Sequence, residues 1–336
     1  GNFTNSSGNL NFDRNFTISG GTFTNTSKKI IFDGAEAADD SQITCSSIGG
    51  TLEITMSGTA NTTLGINSGC SVSLGASPTI TLASNASSLI NISGTVTIDS
   101  GTSTVNNATA NGNTGNINVL SGGTLTHSGN GWDMNDVGLV INSGGTTTYS
   151  GTNITIDRDF TQSGTFNLSG ITVTFDGNDG SDDSTISCSG SLGGTAVISK
   201  TGTAGSAVTI GSGCTVALGA SPTTRLGRNT AADLTVNGTL TISTGTWAVV
   251  NDTADQIANP DIIVSSGGTI THSGTGWNFD DVGLINNSGG TITYSGTSIT
   301  IDRSFSQDGT LTATGLTVTL DGGDNNDDAN VSCSGN

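Results

Sequence analysis

One long internal repeat constrains the fold of this chain more than any other feature. Residues 117–190 and 262–335 align without a gap at an offset of 145, so that SGGTLTHSGNGWDMNDVGL at 121 returns as SGGTITHSGTGWNFDDVGL at 266. A more diverged copy opens the chain, where LNFDRNF at 10 matches ITIDRDF at 154. We therefore predict a diverged copy over 1–116 that starts within a unit, a second copy over 117–261 and a partial third copy over 262–336.

A shorter period within each copy favours a solenoid. The SGGT motif occurs at 121 and 143 and is followed by SGT at 163, which gives steps of 22 and 20 residues. Alternating runs such as TLTIS and TVTID, bounded by Gly, Ser and Asn, are typical of short strands with tight turns. We predict an all-β parallel β-helix (a β-solenoid), continuous along the chain, with coils of about 20–25 residues. Tandem β-sandwich domains, one per unit, are the alternative.

Composition narrows the class of function. The chain has 336 residues, and its 8 Lys+Arg against 27 Asp+Glu give a net charge of −19. Nucleic-acid affinity rests on clustered cations, so we expect no nucleic-acid partner. No apolar stretch approaches the roughly 18 residues that span a bilayer, so we expect no membrane insertion. Both ends fall within a repeat unit, and we therefore expect either a piece of a longer protein or subunits that stack end to end.

Three acidic loops recur, one per copy. Aligned, they read D-G-x-[DE]-x-x-D-D and hold twelve of the 27 acidic residues. Like charges this close repel one another, and a hard cation with several oxygen ligands removes the repulsion. We predict calcium as the cofactor, with a solvated acidic turn as the alternative. The predicted ligands are Asp33, Glu36, Asp39, Asp40, Asp176, Asp179, Asp182, Asp183, Asp321, Asp324, Asp327 and Asp328.

Four cysteines are spaced by about one coil. Cys45 and Cys70 are 25 residues apart, and Cys188 and Cys214 are 26 residues apart. Neighbouring coils lie within the Cα distance that a disulfide requires, so we predict the bridges Cys45–Cys70 and Cys188–Cys214. Disulfides imply an oxidising, extracellular setting. Cys333 is equivalent to Cys45 and Cys188, and its partner cannot be assigned.

Other polar and aromatic residues recur in register. His127, Trp132 and Tyr149 return as His272, Trp277 and Tyr294, and they form either a sugar-stacking surface or internal packing between coils. The recurrent Asp-Arg of the IDR motif, such as Asp157–Arg158, is interpreted as an ion pair that fixes a corner. Thr-x-Thr pairs are frequent, but we expect irregular coil lengths to spoil the constant register that ice binding needs. Fourteen Asn-x-Ser/Thr sequons make glycosylation a further possibility.

The Gly-bounded GTLTI-like strands and the richness in Thr, Ser and Asn resemble the secreted β-solenoid proteins of microbial surfaces. These are the filamentous-haemagglutinin and autotransporter-passenger type of adhesin. The resemblance spans the whole chain and implies an extracellular stalk or fibre that associates with itself, end to end or laterally. The predicted function is a structural filament or adhesin stalk. A carbohydrate-binding adhesin with surface glycans as partners is the alternative, and a polysaccharide-degrading enzyme is disfavoured because no unique acidic pair stands out.

Overall fold

The structure is a computed structural model that describes most of the chain. The described residues are 2–12, 14–25, 30–32, 40–50, 54–56, 62–82, 88–107, 115–177, 182–201, 206–227, 232–251, 260–321 and 330–334. Within these ranges the chain forms 41 β-strands and no helix. It divides into two compact units, Gly1–Ile171 and Thr172–Asn336.

In the first unit, successive coils contribute one strand each to three parallel sheets, which we name A, B and C. Sheet A contains β1 (Phe3–Asn5), β4 (Thr22–Asn25), β7 (Ser47–Gly50), β10 (Ser71–Ser73), β13 (Thr95–Ile98), β16 (Thr124–His127), β19 (Thr146–Tyr149) and β22 (Thr165–Phe166). Sheet B contains β2 (Leu10–Phe12), β5 (Ile30–Phe32), β8 (Ile54–Met56), β11 (Thr79–Leu82), β14 (Thr102–Asn107), β17 (Gly131–Asn135) and β20 (Asn153–Ile156). Sheet C contains β3 (Phe16–Thr17), β6 (Ser41–Thr44), β9 (Thr63–Ile66), β12 (Leu89–Ile92), β15 (Gly115–Val119), β18 (Val137–Ile141) and β21 (Phe160–Gln162).

The second unit repeats this arrangement. Its sheet A contains the first half of β25 (Gly190–Lys200), then β27 (Cys214–Ala217), β30 (Thr239–Ile242), β33 (Thr269–His272), β36 (Thr291–Tyr294) and β39 (Thr310–Ala313). Sheet B contains β23 (Thr172–Gly177), the second half of β25, β28 (Thr223–Leu226), β31 (Thr246–Asn251), β34 (Gly276–Asp280), β37 (Ser298–Ile301) and β40 (Thr317–Leu320). Sheet C contains β24 (Ser184–Cys188), β26 (Val208–Ile210), β29 (Leu234–Val236), β32 (Asp261–Val264), β35 (Gly283–Asn286), β38 (Phe305–Gln307) and β41 (Val331–Cys333).

The pairing confirms the predicted β-solenoid. The strand pairs of both units are parallel and join each coil to the next, whereas tandem sandwiches would consist of antiparallel sheets. The sandwich alternative is therefore wrong.

The period-two alternation in the sequence places apolar residues inside the coil. In sheet C of the first unit, Ile90, Ile117 and Leu139 follow one another in register and are almost fully buried. Each such side chain contributes about 2 kcal/mol relative to an exposed one. The stack of buried side chains inside the coils is therefore the main source of stability.

The two glycines of SGGT serve different purposes at the corner between sheets C and A. Gly122 has a φ of +80°, a backbone conformation that a side chain disfavours. A Cβ on Gly123 would overlap the backbone carbonyl of Ile92 in the preceding coil. The motif recurs because this corner needs both a left-handed residue and a close approach between coils.

Candidate functional site

The two predicted disulfides are present. Cys45–Cys70 and Cys188–Cys214 have Cα–Cα distances of 4.6 Å and 4.7 Å. Each bridge closes the loop of one coil and so ties neighbouring coils together covalently. Cys333 is exposed and forms no disulfide within the described residues.

Only part of each acidic loop lies within the described residues. Asp40, Asp176, Asp182, Asp183 and Asp321 are described. The other predicted calcium ligands, Asp33, Glu36, Asp39, Asp179, Asp324, Asp327 and Asp328, lie outside the described ranges. Among the described residues, no group of three or more His, Cys, Asp or Glu side chains could hold a metal ion.

The last aspartate of the loop caps the backbone of the next coil. Asp40 accepts a hydrogen bond from the Thr63 N–H at 2.9 Å, and the equivalent Asp183 accepts one from the Ala207 N–H at 2.7 Å. Asn15 binds the N–H of Gln42 in the same way at 2.9 Å. A cap at this corner supplies an acceptor that the sheet does not provide. In these two loops the cap accounts for one acid without a metal.

A buried lysine lies within the acidic loop of the second unit. Lys200 is fully buried, and its Nζ donates to the Asp182 carbonyl at 2.7 Å, to Ser184 Oγ at 2.8 Å and to the Asp176 carbonyl. An ammonium group has three N–H donors, so these acceptors use all of them. The loop therefore contains an internal cation that sequence analysis did not identify. The strand alternation in TAVISKTG places Lys200 at an inward position, and this pattern could have identified it.

Gly177, the second residue of the motif in this loop, lies at a site that has no room for a side chain. A Cβ on Gly177 would lie 2.6 Å from Asp182 Cβ and 2.8 Å from Lys200 Nζ. The Asp-Gly pair of this loop is thus matched to the lysine that fills it.

The aromatic residues lie inside the coils. His127, Trp132 and Tyr149 are at most 7% exposed, and His272, Trp277 and Tyr294 at most 2%. In the first unit the ring centroid of His127 is 5.4 Å from that of Trp132 and 5.1 Å from that of Tyr149. No ring presents a face to solvent, so the prediction of a sugar-stacking surface is wrong for these six residues. The alternation in TLTH carried the signal, since His127 has the same parity as buried Leu125.

His127 and Ser103 form a buried pair that superficially suggests nucleophilic catalysis. Ser103 Oγ lies 2.7 Å from His127 Nε2, and the Gly129 N–H donates to His127 Nδ1 at 2.9 Å. Burial lowers the pKa of His127 to about 4, so the ring is neutral. Because Nδ1 accepts a hydrogen bond from Gly129, the proton of the neutral ring lies on Nε2. The histidine therefore donates to the serine and cannot accept its proton. Both side chains are fully buried, which also excludes substrate.

Two of the recurrent arginines form ion pairs with an aspartate of the preceding coil. Arg158 contacts Asp136 at 3.2 Å, and Arg303 contacts Asp281 at 3.3 Å. The neighbouring Asp157 accepts a hydrogen bond from the Asp136 N–H at 3.3 Å. Asp136 and Asp281 have φ values of 56° and 57°, so each buried arginine holds a left-handed corner between coils.

The second unit has a pair of neighbouring aspartates at a place where the first unit has none. Asp233 and Asp261 lie side by side on successive coils, and Asp233 accepts a hydrogen bond from the Asp261 N–H at 2.9 Å. Burial and the charge of Asp233 raise the pKa of Asp261 to about 6, and Arg303 opposes the rise. The first unit has Leu89 and Asn116 in register at this place.

Several sequons are inaccessible. The asparagines at positions 5, 107, 251 and 286 are buried, whereas Asn2 and Asn153 are exposed. Glycan attachment is therefore compatible with only part of the set.

The fold and its fixed corners define a disulfide-bonded β-solenoid repeat protein. No family model, no curated protein and no solved structure matches this chain. None of the described residues belongs to a helix long and apolar enough to cross a membrane.

Proposed function

We propose that this chain is an extracellular structural element, a filament or adhesin stalk whose work is mechanical. The observation that carries the proposal is the covalent closure of coils in both units by Cys45–Cys70 and Cys188–Cys214. Disulfides persist in oxidising surroundings, which fits a secreted protein. The likeness to the adhesins of microbial surfaces supports the same class.

The disulfides would limit extension under load. Force along the coil axis separates one coil from the next, because the hydrogen bonds between coils run along that axis. A bridge that closes a 25-residue loop withholds about 90 Å of chain from extension. The same bridge restricts the unfolded chain, and this loss of loop entropy raises the free energy of unfolding by about 3.5 kcal/mol.

Self-association and calcium belong to the same proposal. Subunits would stack end to end or laterally, and calcium would bind to the acidic loops around Asp33 and Asp321. The loop of Asp176 already contains Lys200, so it is the least suited to a cation. Equal melting temperatures in calcium and in chelator would refute the calcium part alone.

Two of the alternative functions are less favoured by the described side chains. A carbohydrate-binding adhesin depended on the aromatic residues, which are buried. An enzyme needs an accessible constellation of reactive groups, and the Ser103–His127 pair is inaccessible.

Electron microscopy of native material and single-molecule pulling test the proposal. We expect electron microscopy to show long filaments. We expect pulling to give an added extension of about 90 Å per bridge after reduction. Short isolated particles, or the same extension before and after reduction, would contradict the mechanical role. Cys333→Ser is the matched control, since it removes a thiol that forms no bridge within the chain.

A further inference from the structure

The outward face of sheet A in the second unit carries two columns of threonine. Thr239, Thr269, Thr291 and Thr310 follow one another in register. The neighbouring column has the same regularity, and its members are Thr241, Thr271, Thr293 and Thr312. Every coil from β30 to β39 thus presents one Thr-x-Thr pair at constant register.

The first unit carries the same array. In the first column, Thr95 pairs with Thr124, Thr124 with Thr146, and Thr146 with Thr165. In the second column, Thr97 pairs with Thr126 and Thr126 with Thr148. Ser71 and Ser73 continue both columns into β10.

Variation in coil length does not disturb this register. Thr239 and Thr269 are 30 positions apart, whereas Thr291 and Thr310 are 19 apart, yet both pairs are direct neighbours. The additional residues lie outside the sheet A strands. The expectation that irregular coils would spoil the register is therefore wrong.

Strand propensity alone does not account for the array. Thr favours strands on any face, so propensity would distribute it over all three sheets. The outward columns of sheet B are interrupted by charges, among them Asp133, Arg225 and Asp280. The outward positions in the paired strands β10 to β22 and β27 to β39 of sheet A carry no charge, in a chain whose net charge is −19.

The array is backed by a rigid stack of apolar side chains. Val216, Leu240, Ile270 and Ile292 lie between the two columns on the inward side and are fully buried. Cys214, which begins β27, is held by its disulfide. The strands that carry the two threonine columns are therefore held at a fixed spacing.

The two-dimensional spacing of the array points to its ligand. Coils in parallel sheets are about 4.8 Å apart, and alternate residues along a strand are about 6.6 Å apart. These two repeats approximate those between oxygen atoms on a prism plane of hexagonal ice. Hydroxyl groups can take lattice positions, and methyl groups favour ordered water around them.

We propose that sheet A is an ice-binding surface, which adds a function to the structural role and does not depend on filament formation. Its ligand is the regular lattice of ice. The absence of charge fits this ligand, because a charged side chain binds liquid water around itself and would not match the lattice.

Partition into growing ice tests the proposal. The fluorescently labelled chain of 336 residues is placed around a slowly growing ice hemisphere, and its fluorescence in the ice is compared with that in the liquid. The test variant carries Thr→Arg at four outward positions of sheet A: Thr97, Thr126, Thr241 and Thr271. The matched control carries Thr→Arg at four outward positions of sheet B: Thr81, Thr155, Thr300 and Thr319. Equal melting temperatures establish that both variants are folded.

We expect the unmodified chain and the sheet B control to be incorporated into ice. We expect the sheet A variant to lose this incorporation. A Thr→Ser set at the same four sheet A positions removes only the methyl groups and should weaken incorporation. Exclusion of the unmodified chain from ice would overturn the proposal. Equal incorporation, or equal loss, of the two Arg variants would overturn the assignment to sheet A.

Discussion

In the first unit Ser103 lies in register with Trp132, whereas in the second unit Trp247 takes that place beside Trp277. The register of the strands is the same, so a coil accepts a serine or a tryptophan at one inward position. Hydrogen bonding changes with the substitution. The Trp277 indole donates to His272 Nδ1, whereas the buried Trp132 Nε1 has no acceptor among the described residues.

The two units also differ in charge. Lys200 is buried in the second unit, and in the aligned sequence TLEITMSGTA the first unit has Met56 at that position. Asp261 likewise stands where the first unit has Asn116. The two units thus share the register of their strands and their corners. They differ in which polar side chains they carry at equivalent positions.

The largest expected effect comes from removing the internal cation. Lys200→Met, which introduces the residue of the first unit, leaves the carbonyls of Asp176 and Asp182 without their donor. We expect a loss of about 3 kcal/mol in the free energy of unfolding, measured by denaturant titration. Met56→Leu is the control and should cost less than about 1.5 kcal/mol. Equal costs would show that Lys200 does not hold the loop.

The buried histidines predict a loss of stability in acid. The folded pKa of His127 is about 4, below its unfolded value of 6.5, so the unfolded chain binds more protons between these two values. The contribution is complete above pH 6.5 and decreases by about 3 kcal/mol as the pH falls to about 4. Burial lowers the pKa of His272 in the same direction. NMR titration of the chain's 2 histidines gives a direct measurement, and a midpoint near 6.5 for His127 would contradict the burial argument.

The tryptophans provide a smaller and paired test. Trp277→Phe removes a hydrogen bond to His272, whereas Trp132→Phe removes an indole N–H that has no acceptor among the described residues. We expect Trp277→Phe to cost about 1 kcal/mol more than Trp132→Phe, with the free energy of unfolding as the measurement. The reverse order would mean that the Trp132 indole, and not that of Trp277, makes the stronger hydrogen bond.

The smallest expected effect is a gain. Asp261→Asn introduces the residue of the first unit and removes a carboxylate whose pKa is raised by burial and by Asp233. The folded group binds protons more tightly than the unfolded one, so stability falls as the pH rises from 3.8 to about 6, and the loss is complete above that. Because the pair is partly exposed, we expect the free energy of unfolding to rise by about 1 kcal/mol at pH 7 and not to change at pH 4. Thermal melting at both pH values measures this difference. A gain at pH 4 as large as that at pH 7 would argue against this charge effect.

The fold was largely predictable because its signals are local. Alternation in runs such as TLTIS marks strands, and SGGT marks a corner at which both glycines are required. The disulfides were predictable for a related reason, since the separation of Cys45 from Cys70 is about one coil. The same alternation, applied to TLTH, would have placed His127 inside the coil.

The candidate sites were less predictable because they depend on partners in other coils. Asp183 looked like a metal ligand, since nothing near it in the sequence shows that the Ala207 N–H lies within its reach. Lys200 lies 18 residues along the chain from Asp182, whose backbone carbonyl accepts one of its hydrogen bonds. Arg158 pairs with Asp136, which lies 22 residues away on the preceding coil at a left-handed corner.

The sequence by itself determined the coil, because strand alternation and glycine corners are read over a few neighbouring residues. Only the tertiary structure decided which residues meet between coils. Contacts such as Thr239 with Thr269 and Thr291 with Thr310 span 30 and 19 residues, and both are in register. The segments between strands differ in length, while hydrogen bonding between parallel strands keeps the sheet in register. The spacing of residues along the chain does not show which segments are longer.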